Sequence, residues 1–170
     1  MKRIAVLFLL AVAFAGMARG DTTVLIVRHA EKMANAGTDP DISPEGVARA
    51  KALAAVAEHA GVEAVYVTQY KRTRQTAEPL HVPLIEVGVD LSAPAAYPKA
   101  LADAIRAKSA GKVVLVVSHS NTIPAVIETL AHVKVAPIAD DEYDRIYVVT
   151  LPQSGPPRVI AAQYGHHSPR

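Results

Sequence analysis

Residues 22–27, Thr-Thr-Val-Leu-Ile-Val, form an unbroken β-branched and apolar run with no polar alternation. A run of that kind reads as a strand buried on both faces, as happens where helices cover both sides of a parallel sheet. It stops abruptly at Arg28-His29-Ala30-Glu31. In an open α/β sheet, ligands gather in the crevice beyond the carboxyl ends of the strands. A cation and a nucleophile at the end of the first strand are therefore placed for chemistry.

The rest of the chain follows the same pattern. Ser43, an N-cap candidate, and Pro44 open a helix that runs to about Ala60 and stops at Gly61, with Gly46 tolerated early. Residues 64–68 are a second short buried strand and run into the basic segment 69–77, read as a loop with a short helix after it ending near Pro79. Residues 82–87 read as an edge strand because of Pro83. Residues 99–108 form an amphipathic helix, 113–117 the strongest and most central strand, and a helix follows from Thr122 or Ile123 to Leu130. Residues 143–151 and 158–164 flank a Gly-Pro-Pro turn and predict an antiparallel hairpin, and Gly165 to Arg170 reads as a frayed tail. The predicted fold is a three-layer α/β/α sandwich with a mostly parallel central sheet and a C-terminal β-hairpin.

With 170 residues the chain makes one domain. The amino terminus stands apart. Met1-Lys2-Arg3 precedes an apolar run from Ile4 to Ala15, and small residues follow, including Ala18-Arg19-Gly20. That is the layout of a secretory signal peptide, too short to span a bilayer, and predicts residues 1–20 as signal and 21–170 as the domain, exported to the periplasm or secreted. Lys2, Arg3 and Arg19 account for 3 of the 18 basic residues, which leaves 15 against 16 acidic ones, a net −1, in the domain. Such a domain has no call for nucleic acid, and once the signal is cleaved no stable membrane insertion is expected. The chain has no cysteine, which excludes disulfides, thiolate nucleophiles and Cys-ligated zinc.

Three polar clusters follow three of the predicted parallel strands: Arg28-His29, the segment holding Arg72, and Ser118-His119-Ser120-Asn121. Right-handed crossovers put those strand ends on one edge. Arginine forks match the oxygens of a phosphate dianion, and His119 adds a third contact, either protonated or as an N–H donor. His29 can attack phosphorus with one ring nitrogen while the other is held, giving a phosphohistidine that water later hydrolyses. His59, His81, His132, His166 and His167 read as surface residues, and Lys71 and Arg74 as a solvated turn. No metal-ligand spacing occurs near the clusters, and a cationic pocket repels a cation, so no metal or cofactor is expected. Spacing alone leaves a phosphate enzyme and a generic anion-binding domain both open.

Strand-Arg28-His29-Ala30-Glu31 resembles the Arg-His-Gly signature of the histidine phosphatase superfamily, the phosphoglycerate mutase-like fold. Ile42-Ser43-Pro44-Glu45-Gly46 resembles its Leu-Thr-x-x-Gly helix start, Thr68 to Ala77 its Ser-x-x-x-Arg-x-x-Gln-Thr-Ala segment, and Ser118-His119-Ser120 its Gly-His-Ser segment. The four occur in the family's order. The resemblance implies His29 as nucleophile, Arg28, Arg72 and His119 as the phosphate pocket, and Asn35 as a further substrate contact. Ala30 stands where the family has glycine. Larger members carry an acid after the second arginine's helix to protonate the leaving alkoxide; here Glu86, Asp90, Glu31 or the Asp140-Asp141-Glu142 cluster are the candidates, or there is none. Short phosphohistidine phosphatases of the superfamily resemble this chain in size and in that gap. The implied activity is metal-independent phosphatase action on a phosphate monoester or phosphoramidate. The substrate is then a phosphorylated small molecule or, given export, an envelope glycan or lipid. The alternative is a catalytically weak or inactive phosphate-binding domain of the same fold.

Overall fold

The computed structural model describes residues 20–34 and 37–168. The predicted signal peptide, apart from Gly20, and Asn35 lie outside the described residues. The element order is β1 (Thr22–Arg28), α1 (Pro44–Ala60), β2 (Ala64–Val67), α2 (Lys71–Ala77), β3 (Leu84–Glu86), α3 (Tyr97–Lys108), β4 (Val113–Ser118), α4 (Ile123–Ala131), β5 (Arg145–Leu151) and β6 (Arg158–Gln163), with single 3-10 turns at Glu78–Leu80 and Pro94–Ala96.

The six strands form one sheet in the order β3-β2-β4-β1-β5-β6. β1 pairs parallel to β4 from Thr23↔Val113 to Arg28↔Ser118, and β2 runs parallel to both β4 and β3. β5 lies antiparallel to β1, and β6 to β5, so the C-terminal hairpin closes one edge. Because β1 and β4 are the central pair, their side chains are buried in both directions. Alternate residues feed two cores. Val24, Ile26, Val114 and Val116 pack with Leu101, Ile105, Ile123 and Ile127 of α3 and α4. Leu25, Val27, Leu115 and Val117 pack with Leu53 and Ala57 of α1 and Ala77 of α2. The result is the predicted three-layer sandwich with a mostly parallel sheet.

Two local expectations are corrected. The segment after β2 is not a loop: Lys71–Ala77 is itself α2, and the 3-10 turn Glu78–Leu80 follows. Its N-cap, Tyr70, makes no side-chain cap bond. Instead the Asp39 carboxylate accepts from the Lys71 N–H at 3.1 Å. The cap comes from 32 residues upstream, so no local signal marks the helix start. The tail is not frayed over 165–168 either. The Ser168 hydroxyl accepts from the Tyr143 N–H at 2.8 Å, and its own N–H donates to Asp144 Oδ2 at 3.3 Å. Residues 165–167 are exposed, and the two hydrogen bonds of the buried Ser168 hold the segment against the body.

The start of α1 shows why residue 46 is glycine. Ser43 caps the helix, its hydroxyl accepting from the Gly46 N–H at 3.1 Å, with Pro44 at the first position. The Glu31 carbonyl, which accepts from the Ser43 N–H at 2.8 Å, comes so close that a Cβ on Gly46 would lie 2.3 Å from it. The glycine is required by close backbone approach, which binds the segment after His29 to α1. No helix among the described residues is long and apolar enough to cross a membrane.

Candidate active site

The carboxyl ends of β1 and β4 lie side by side, with the His29 N–H donating to the Ser118 carbonyl at 2.9 Å. This register brings the two histidines together: the His29 and His119 rings are 5.4 Å apart, centroid to centroid, at 63°. Both are buried. His29 Nδ1 lies 2.8 Å from the Ala30 carbonyl. A carbonyl only accepts, so Nδ1 carries the proton and Nε2 keeps its lone pair. Burial, with His119, Arg28 and Arg72 adding repulsion, holds the His29 pKa well below that of an ordinary histidine. His29 is therefore a neutral imidazole with an unprotonated Nε2 at neutral pH.

His119 follows the same logic. Its Nε2 is held by Thr68 Oγ1 at 3.1 Å. Burial, reinforced by Arg72 and Arg28, drives its pKa down to about 3. Of the two states expected for His119, its surroundings favour the neutral one. A bound dianion would reverse the repulsive part of that shift.

Arg28 is held without a carboxylate. Its Nη1 donates to the carbonyls of Ala139 and Asp140, both at 2.8 Å, and of Glu142 at 3.1 Å. Its guanidinium lies 4.0 Å over the Tyr143 ring. Its Nε is buried and has no hydrogen-bond partner, leaving one donor of the arginine fork unspent. Arg72 enters from the first turn of α2, stacked 4.3 Å over Tyr70 and 3.5 Å from Asp39 Oδ1. Desolvation lowers the pKa of both guanidiniums, yet an arginine stays charged.

The rings form a row: Tyr143 lies 6.2 Å from His29, and Tyr70 5.5 Å from His119. Thus Arg28, His29, Arg72 and His119 converge, and Tyr70, Tyr143, Thr68 and Asp39 join them. The sequence carried a signal for Tyr143. β5 is antiparallel, so its beginning rather than its end lies on the edge where β1 and β4 terminate. Asp39 had none, because its partners are fixed by loop packing.

The acid candidates fare differently. Glu31 is tied bidentately to Arg49 at 2.8 and 3.0 Å. Glu86 pairs with Arg74 on the exposed edge strand, and Asp90 turns back on Ser92. Those bonds to Ser92 hold the Asp90 carboxyl below its usual range, which disfavours the protonated form. Glu142 pairs with Arg145. Of the acids named from sequence, Asp140 and Asp141 alone have no side-chain partner among the described residues, and both act electrostatically on Arg28. Asp39, beside Arg72, is the carboxylate that sequence reasoning missed. Glu31, Glu45 and His166 offer atoms close enough to share a metal ion. However, the Arg49 guanidinium already lies 2.7 Å from Glu31 and 3.0 Å from His166 Nε2, so a cation is already in place there.

Residues 24–91 match the sequence model of the histidine phosphatase superfamily, branch 1. The matched segment and the fold are those of the histidine phosphatase superfamily. The protein histidine phosphatase SixA, solved with tungstate, is 22% identical with a TM-score of 0.61, over 83% of this chain and 96% of that one. A mutant phosphoserine phosphatase of Entamoeba histolytica, complexed with phosphoserine, is 17% identical with a TM-score of 0.58, over 84% and 96%. The mycobacterial glucosyl-3-phosphoglycerate phosphatase is 14% identical with a TM-score of 0.64, over 85% and 100%. At these identities the likeness is one of fold. No curated protein sequence matches the chain. Within the superfamily's pattern, the β1 end with Arg28-His29 and the α2 segment with Arg72 fall inside the matched residues, while His119 lies beyond them.

Proposed function

We propose that this chain is an exported, metal-independent phosphatase that works through a phosphohistidine on His29. The observation that carries the reading is the state of His29: Nδ1 bound to the Ala30 carbonyl, Nε2 unprotonated, two guanidiniums beside it. In the first step Nε2 attacks phosphorus and the phosphorus–leaving-group bond breaks. In the second, water attacks phosphorus, the N–P bond breaks, and inorganic phosphate leaves. Charge on the transferring group stays high throughout, so Arg28 and Arg72 provide the main stabilisation. The unspent Arg28 Nε–H fits an oxyanion, and tungstate, the ligand in the SixA structure, is the corresponding probe.

Glu31, Glu86, Asp90 and Glu142 are all bound elsewhere. This favours a leaving group that departs without a positioned carboxylic acid, an aryl phosphate or a phosphoramidate whose nitrogen takes its proton from solvent. Acid assistance is worth about 10²–10⁴-fold for a poor leaving group. The signal-like residues 1–20 support export and, with it, an envelope substrate. Asn35, six positions after His29, is kept as a further substrate contact on the resemblance alone. The second reading, a phosphate-binding domain with little turnover, is favoured by the same shortage of a positioned acid.

Residues 21–170 assayed with EDTA against an aryl and an alkyl phosphate decide between them. Aryl turnover that vanishes in His29→Ala, with a phosphoenzyme trapped by alkaline quench and mass spectrometry, is the expected result. Tungstate binding without turnover of either ester would establish the binding domain instead.

A further inference from the structure

Arg28 takes its position from a segment that has no regular structure of its own. Its Nη1 is bound by the carbonyls of Ala139, Asp140 and Glu142, and its plane rests on Tyr143. Residues 133–144 belong to no helix or strand. A loop without ladder bonds needs outside partners to hold a geometry. Those partners come from the C-terminal tail. The Tyr143 N–H donates to Ser168 Oγ at 2.8 Å. Asp144, which is buried, accepts from the Ser168 N–H at 3.3 Å through Oδ2 and from the Tyr164 N–H at 2.9 Å through its carbonyl.

The same tail is anchored on the other side of the nucleophile. Arg49 is fully buried on α1. It donates to the Tyr164 and His166 carbonyls, both at 3.2 Å, and its Nε donates to the Glu31 carboxylate, two residues past His29. The tail therefore bridges the loop that holds Arg28 and the segment that follows His29.

We propose that residues 164–168 are a strap that positions Arg28 for an oxyanion, with Ser168 as its positioning residue. The oxyanion part of this rests on the phosphate-pocket reading above. Ser168 touches no reacting atom; it fixes Tyr143, and Tyr143 with its loop fixes the guanidinium.

The test uses the full domain with Ser168→Ala and Ser168→Thr. Losing one hydrogen bond to the loop should raise the tungstate Kd and lower the aryl phosphate kcat/KM about three- to tenfold. The Arg28 Nε–H signal in nitrogen–proton NMR should broaden, and Ser168→Thr, which keeps the hydroxyl, should restore both readouts. Unchanged affinity and an unchanged Arg28 signal in Ser168→Ala would overturn the strap. So would a drop in melting temperature and kcat with the Arg28 signal intact, which marks a merely structural tail. If the unaltered protein neither binds tungstate nor hydrolyses the ester, the pocket reading fails. The strap is then decided by the Arg28 signal alone.

Discussion

The two arginines of the pocket are held in opposite ways, and that difference is measurable. Arg28 binds three backbone carbonyls of the 139–142 turn in part-buried hydrogen bonds. Arg72 stacks on Tyr70 and meets one half-exposed carboxylate. Both removals should weaken oxyanion binding. Arg28→Ala also removes three hydrogen bonds to backbone carbonyls, each with a net worth of about 0.5–1.5 kcal/mol. Thermal unfolding should therefore show a marked loss for Arg28→Ala and a small one for Arg72→Ala. Equal losses would mean that the carbonyl cage contributes nothing. At this scale the histidines, the arginines and their order were legible in the sequence, because each ends an apolar strand or lies in a recognisable segment. Asp39 was not, since nothing local to it speaks of its partners.

Among the elements, the start of α1 is the most constrained. A Cβ at residue 46 would press on the Glu31 carbonyl, a backbone atom that cannot swing aside. Gly46→Ala would ordinarily favour a helix by about 1 kcal/mol. Here it should do the reverse, lower the melting temperature and shift the backbone between Ala30 and Ser43, read by chemical-shift changes at Glu31 and Ser43. A stabilised Gly46→Ala would show that the approach is not as close as described. α2 teaches the complementary lesson. Its basic sequence 71–77 reads as a turn, and it is a helix because Asp39 supplies the cap from another loop.

Across the whole molecule, burying two histidines beside two arginines ties stability to pH. Folded His29 and His119 stay neutral, His119 down to about 3, whereas both take protons near 6.5 once unfolded. Between those values the unfolded chain binds more protons, so stability is full above 6.5 and is lost as pH falls. Each pH unit through that window costs up to about 1.4 kcal/mol per histidine. The carboxyls held low, Asp90, Asp103 and Asp144, titrate below their ordinary 3.8 and leave the upper part of the window to the histidines. Melting temperature should fall steadily from pH 6.5 to 4.5, and His119→Gln should flatten the slope. A melting temperature constant over that range would show that neither histidine is held neutral.

The strand-and-helix order, the doubly buried β1 and β4, and the edge on which Arg28, His29 and His119 meet were all written into the chain. These follow from apolar runs, caps and the handedness of crossovers, all of which are local or topological. Three features arise from packing instead: α2 begins at Lys71, Glu31 serves Arg49, and the tail is bound to the loop around Arg28. Those outcomes depend on pairings between residues 18 to 114 positions apart. The choice among such partners is made by burial and hydrogen-bond satisfaction after the sheet has formed, and no residue carries it alone.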